Sequence, residues 1–148
     1  MDNTININLI RDTYYAGLVH DIGKSYILQD ILNKKESLTY REFALIRRHP
    51  KLGYDSLKKY YGLENIAEYI LFHHERWDGN GYPDKLSGDE IPLVCQILSV
   101  VDACDAMLNE RSYSPTLSID RVITELINGR ETQFSPDIVD VFLTIIEG

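Results

Sequence analysis

Apolar residues recur along this chain at the three-and-four spacing of helices, and no convincing run alternates with the period of two that marks a half-buried strand. The first stripe, Ile10, Tyr14, Leu18 and Ile22 with Tyr15 and Val19 beside it, predicts a helix leading into His20-Asp21. Thr39 to Glu42 forms a Thr-x-x-Glu capping box, which opens a helix through Phe43, Leu45 and Ile46 and carries His49 just before Pro50. Ile66, Ala67, Ile70 and Leu71 set a further stripe, and continuing it by three and four residues lands on His73 and His74. Between Ile91 and Leu108, Val94, Leu98 and Val101 face one way, and Asp102 falls one turn beyond Leu98 on that face. Val122, Ile123, Leu126 and Ile127 stop near Gly129, and a last helix opens at Ser135-Pro136 and runs through Val139, Phe142 and Ile146. Asp78 to Glu90, rich in Gly, Pro and Asp, is the one long irregular piece. The pattern predicts an all-α bundle with one prominent loop.

Size and charge narrow the picture modestly. A chain of 148 residues is long enough to bury a core without staples, so a single domain over 1–148 is expected. Fifteen basic against twenty-three acidic residues leave a net charge of −8, which argues against binding a nucleic-acid polymer through its phosphates. A small phosphate ligand stays compatible, because a bound metal ion would be the largest local charge and can hold phosphate inside an acidic protein. Cys95 and Cys104 fall in one predicted helix, separated by roughly 13.5 Å of rise, too far for a disulfide; both read as reduced core residues. No apolar run approaches the roughly 20 residues of a membrane span and no basic-plus-apolar leader is present, so no membrane association and a cytoplasmic location are expected.

The chemistry-bearing residues cluster at predicted helix ends. His20 and Asp21 are adjacent donors suited to Mn, Fe, Zn or Ni, although an isolated His-Asp pair is far more often an ordinary surface or capping pair. His73 and His74 extend an apolar stripe, so both imidazoles are expected to be buried and to need hydrogen-bonding or metal partners. They are followed by Glu75 and by Asp78-Gly79-Asn80-Gly81-Tyr82-Pro83, whose glycines let backbone approach a ligand. Asp102 and Asp105 put two carboxylates on one helix face, with Asp105 the better candidate for a merely exposed residue.

In that order and spacing, HDIGK, LTYREF, HPKLGY, HHERWDGNGYP, IPLVCQILSVVDACDAM and RSY resemble the HD-GYP domain phosphohydrolases over nearly the whole chain. The resemblance implies an HD-domain helical bundle with a GYP loop, holding a divalent metal pair, iron or manganese in most relatives, with nickel or zinc compatible with the same donors. It implies His20, Asp21, His49, His73, His74 and Asp102 as metal ligands, with Asp21 bridging. Lys24, Tyr82 and Arg111 are the implied substrate-binding residues, and Asp21 and Lys24 the implied catalytic pair.

The implied activity is hydrolysis of cyclic di-GMP, or a related cyclic dinucleotide, to linear pGpG or GMP by a metal-held hydroxide, with other signalling domains as further partners. The family pattern also carries a histidine on a helix upstream of the HD pair, and no histidine stands among the nineteen residues before His20. An N-terminally short domain with one metal ligand fewer is therefore expected. Two alternatives stay open: a catalytically impaired nucleotide-sensing or protein-interaction module, and an HD phosphohydrolase for another nucleotide.

Overall fold

The computed structural model describes residues 6–109 and 116–147, and among them every regular element is helical. In chain order these are α1 (Ile7–Val19), a short 3-10 turn (Ile22–Tyr26), α2 (Gln29–Leu32), α3 (Tyr40–Ile46), α4 (His49–Leu57), α5 (Glu64–Phe72), a second 3-10 turn (Gly88–Glu90), α6 (Leu93–Leu108), α7 (Ile119–Asn128) and α8 (Pro136–Glu147). The all-α expectation holds.

Local chemistry explains several boundaries. The Asn6 side chain accepts from the Leu9 N–H at the start of α1, and the Thr39 capping box opens α3 with the Glu42 carboxylate returning to the Thr39 N–H. Ser118 caps α7, which ends at Gly129. Two apolar clusters share α6. One gathers Ala16, Leu57, Ile66, Ala67, Ile70, Val94 and Leu98 from α1, α4, α5 and α6. The other gathers Val100, Cys104, Val122, Leu126, Phe134 and Val139 around α6, α7 and α8. Cys95 and Cys104 are buried and unpaired, as the helix spacing requires.

Three details differ from the sequence expectation. The Ile10-Tyr14-Leu18 stripe faces outward, about 60% exposed at each position, while Asp12 and Ala16 form the buried side of α1. Small Ala16 is fully buried in one cluster with Val94 and Leu98 of α6, and the Arg11 guanidinium neutralises Asp12 at 2.8 Å, so the side with less apolar bulk is the one that packs. Ile22 belongs to the separate turn after α1. His49 does not end α3: that helix stops at Ile46, and His49 opens α4 with Pro50 in its first turn, where a missing N–H costs nothing. Finally, Val101 is 45% exposed and Val100 takes the buried position, because α6 serves two cores and its apolar face turns partway along.

Candidate metal centre

Four helix boundaries converge to bring the histidines together. His20 follows α1, His49 opens α4 just after α3, and His73 and His74 follow α5. Three of the imidazoles are oriented in one way: Nδ1 of His20, His49 and His73 lies 2.7, 2.8 and 2.6 Å from the carbonyl oxygens of Gly17, Ile46 and Ile70. Only a protonated Nδ1 can bond a carbonyl, so each neutral ring turns a bare Nε2 lone pair to the interior. Nε2 of His49 and Nε2 of His73 stand 3.3 Å apart, and His49 Nε2 is also 3.3 Å from Asp21 Oδ1. Lone pairs in that arrangement repel unless a proton or a metal cation lies among them. Ligand atoms of His49, His73 and His74 all fall within 4.8 Å of one another, and His49 and His73 are about 1% exposed.

Both imidazoles after α5 are electrically neutral. Burial, helped by the neighbouring imidazoles, pushes His73 down to about 3 and His74 to about 2. Neutral imidazole is the form that ligates metal.

Asp21 ties this cluster to the chain's cations. Its Oδ2 accepts from Lys24 Nζ at 2.6 Å and lies 3.5 Å from His20 Nε2, while Asp102 Oδ1 approaches His20 Nε2 at 3.8 Å from α6. Burial alone would raise the Asp21 carboxyl, but the hydrogen bond and charge of Lys24 outweigh it and hold the group ionised well below the usual range. Asp105, by contrast, is exposed and accepts from Asn109. Gly23 makes the Asp21 position possible: a Cβ there would meet the Gly53 nitrogen and the His49 carbonyl carbon at 2.7 Å, and the His49 carbonyl oxygen closer still.

The Gly-rich loop is built against the other side of the cluster. Glu75, buried, accepts from the backbone N–H groups of Asp84 and Lys85 at 2.7 and 3.1 Å through Oε1, and burial pushes its carboxyl up. Trp77 and Asp78 donate to the carbonyls of Gln133 and Thr132. A Cβ on Gly81 would strike the Glu75 Cα at 2.6 Å, so that residue is glycine for close approach rather than for a special φ. The loop then delivers Tyr82, which stacks on His74 at 5.0 Å and 26°. Burial pushes the Tyr82 phenol up to about 12. A cavity of about 380 Å³ opens beside the cluster, lined by His73, His74, Asp102 and Glu75 on one side and Met107 and Phe134 on the other.

Thus the six expected ligands, His20, Asp21, His49, His73, His74 and Asp102, lie in one connected cluster, with Lys24 and Tyr82 at its edges. Arg111 lies outside the described residues. Two contributors escaped the sequence reading. Glu75 was visible only as part of a motif, without its role as the loop's acceptor. Arg47, whose guanidinium carbon sits 4.1 Å over the Tyr82 ring, carried no periodicity or motif signal. The donor set of imidazole nitrogens and carboxylates, with lone pairs already facing one another, fits a divalent metal pair.

Comparison with known proteins places the chain in a family and a fold. Residues 3–138 match the HD domain family. A probable cyclic di-GMP phosphodiesterase of Vibrio cholerae is 39% identical over 141 residues, covering 89% of this chain and 32% of its own length. The cyclic di-GMP phosphodiesterase response regulator RpfG of Xanthomonas campestris is 38% identical over 139 residues, covering 90% of this chain and 36% of its own. Among solved structures, a cyclic GMP-AMP specific phosphodiesterase of V. cholerae superposes with a TM-score of 0.69 at 21% identity, over 93% of this chain and 38% of that one, which establishes the shared fold. The chain spans about a third of the length of the curated relatives it matches. Among the described residues no helix is long and apolar enough to cross a membrane.

Proposed function

We propose, from the premise that the chain belongs to the HD-domain family, that it is a metal-dependent phosphodiesterase acting on cyclic dinucleotides, and on cyclic di-GMP in particular. The observation that carries the reading is the 3.3 Å approach of the His49 and His73 Nε2 atoms, each ring backed by a backbone carbonyl, with Asp21 Oδ1 at the same distance from His49. Such an arrangement is stable with a cation among the lone pairs and strained without one.

In this reading His20, Asp21, His49, His73, His74 and Asp102 hold a pair of divalent ions, iron or manganese by the family resemblance, with nickel or zinc suited to the same imidazole and carboxylate donors. Bound metal supplies a nucleophile at neutral pH and neutralises charge developing on the phosphoryl oxygens. The chain's own residues bind and orient. Asp21, ionised throughout the neutral range, sits between the Nε2 atoms of His49 and His20, where it would share a cation with both rings. Lys24, 2.6 Å from Asp21, is assigned in this reading to a phosphate oxygen through its remaining donors, and Tyr82, stacked on His74, to the substrate on the loop side. Arg111 is proposed as a further phosphate ligand. Other signalling domains as partners and a cytoplasmic setting belong to the same proposal.

The test is calorimetry with Mn²⁺ or Fe²⁺ under anaerobic conditions, followed by chromatography of cyclic di-GMP and 3′3′-cGAMP digests. Metal binding that disappears in His49→Ala, with a linear product that disappears in Asp21→Ala, is the expected result. Metal-loaded protein that turns over neither dinucleotide overturns the assignment.

A further inference from the structure

In the reading above the metal pair, Lys24 and Arg111 serve the scissile phosphodiester, whereas a cyclic dinucleotide carries two, and both are anionic. A protein of net charge −8 needs a local cation for the second. Most candidates are committed elsewhere. Arg11, Arg76, Arg121 and Arg130 pair with Asp12, Asp78, Glu125 and Asp140, and Lys24 is already engaged by Asp21.

Arg47 is different on three counts. Among the described residues no carboxylate lies within ion-pair distance of it. Its backbone closes α3 two residues before His49, the N–H bonded to the Phe43 carbonyl, so the side chain starts from a fixed point at the cluster's edge. Its guanidinium lies over the Tyr82 ring at 4.1 Å and near Phe43 at 5.9 Å, and Tyr82 in turn stacks on His74. Stacking on an aromatic face leaves the in-plane N–H donors of a guanidinium free, holds it at low entropic cost, and keeps it charged, which is the arrangement that receives a phosphate through two parallel hydrogen bonds. An exposed cation pre-ordered on a residue of the site's wall and lacking a carboxylate is a ligand-binding group awaiting an anion.

We propose that Arg47, held on Tyr82, binds the non-scissile phosphate of the cyclic dinucleotide and so makes the site select a two-phosphate ring over a simple diester; this rests on the phosphodiesterase reading above. Because the phosphates are common to cyclic di-GMP and cyclic GMP-AMP, the contribution is the same for both.

The experiment compares wild type, Arg47→Ala, Arg47→Lys and the control Arg48→Ala, whose side chain lines a separate apolar recess with Tyr26, Leu28 and Leu52. All are loaded with Mn²⁺ and assayed on cyclic di-GMP, 3′3′-cGAMP and bis(p-nitrophenyl) phosphate, which has a single diester. Affinity for a phosphorothioate analogue of cyclic di-GMP is measured by calorimetry alongside. Arg47→Ala is expected to raise KM for both cyclic dinucleotides about tenfold, the loss of one charged hydrogen-bonded contact. It should change kcat by less than about twofold on the same arithmetic, weaken the analogue by the same factor as KM, and lower kcat/KM for the simple diester far less. Arg47→Lys recovers part of the loss, and Arg48→Ala matches wild type. Equal losses on the simple diester and the cyclic substrates assign Arg47 a structural role and overturn the proposal. A loss that differs between the two dinucleotides assigns it to a base instead, and no loss at all overturns it outright. In these three cases wild-type turnover leaves the phosphodiesterase reading standing, whereas wild type inactive on both dinucleotides removes both.

Discussion

Gly23 offers the sharpest perturbation of the site, because it lies in the turn that follows Asp21 and contributes none of the proposed metal-binding atoms itself. Its backbone runs against the start of α4, where an added Cβ would sit 2.7 Å from the Gly53 nitrogen and the His49 carbonyl carbon. Ordinary non-bonded contact is on the order of 3.5 Å, so in Gly23→Ala the turn must retreat from α4 by about 1 Å, and further from the His49 carbonyl oxygen. Every atom met is backbone, and α4 is held by α5 through Ile70 and Leu57, so the turn moves rather than the helix.

Two consequences are separable. Overpacking of this kind costs about 1–3 kcal/mol, which lowers the melting temperature by about 3–10 °C for a chain of this size. The retreat also carries Asp21 Oδ1 away from its 3.3 Å position at His49, and a misplacement of about 1 Å in a catalytic constellation costs on the order of 100-fold in rate. Thermal melts, metal calorimetry and cyclic di-GMP turnover read the two effects. Gly17→Ala serves as the comparison, since its Cβ would meet only Leu98 Cδ2 at an ordinary 3.6 Å; helix propensity then favours the alanine by about 0.5–1 kcal/mol. If Gly23→Ala melts and binds metal like Gly17→Ala, the close approach is not what positions Asp21 and the reasoning fails.

Two more expectations follow from the same geometry. His73 and His74 titrate near 3 and 2 in the folded chain and near 6.5 when unfolded, so the unfolded state binds more protons at mildly acid pH. Stability of metal-free protein is therefore full above pH 6.5 and falls as pH drops toward 3, by up to roughly 2–3 kcal/mol per pH unit for the two groups together; urea melts at pH 7, 6 and 5 check it, and a flat profile contradicts it. Glu75→Ala leaves the Asp84 and Lys85 N–H groups without their acceptor and should cost about 1–3 kcal/mol, with tryptic cleavage after Lys85 accelerating, whereas Glu75→Gln keeps the acceptor and should be milder. Equal proteolysis of Glu75→Ala and wild type would show that the loop is held by other contacts.

How far the chain could be read from its sequence depended on the kind of signal. Helix-period stripes with caps, as at Thr39, Ser135-Pro136 and the α6 run, were legible because local chemistry and burial point the same way there. The histidines and Asp21 were legible because they are donors at helix boundaries, and boundaries carry Pro and capping signals. What misled was the Ile10-Tyr14-Leu18 stripe, since spacing identifies a face without saying whether anything packs on it. The division of α3 from α4 was hidden for a related reason: the apolar pattern continues across Arg47 and Arg48 although the backbone turns there. Arg47 itself could not be found, because a stack on Tyr82 joins residues 35 apart through tertiary structure alone.

The histidine geometry follows from where helices end. The last carbonyls of a helix lack intrahelical partners, and the helix dipole makes that end negative. His20, His49 and His73 each lie three residues beyond a carbonyl in the final turn of α1, α3 or α5, and each bonds that carbonyl through Nδ1. One ring therefore does two jobs, satisfying the helix end and fixing which nitrogen faces the centre. His74 has no such bond among the described contacts and is oriented by the Tyr82 stack instead. It is thus the proposed ligand whose placement depends on the loop, and the Glu75 contacts that hold the loop reach the candidate metal centre through it.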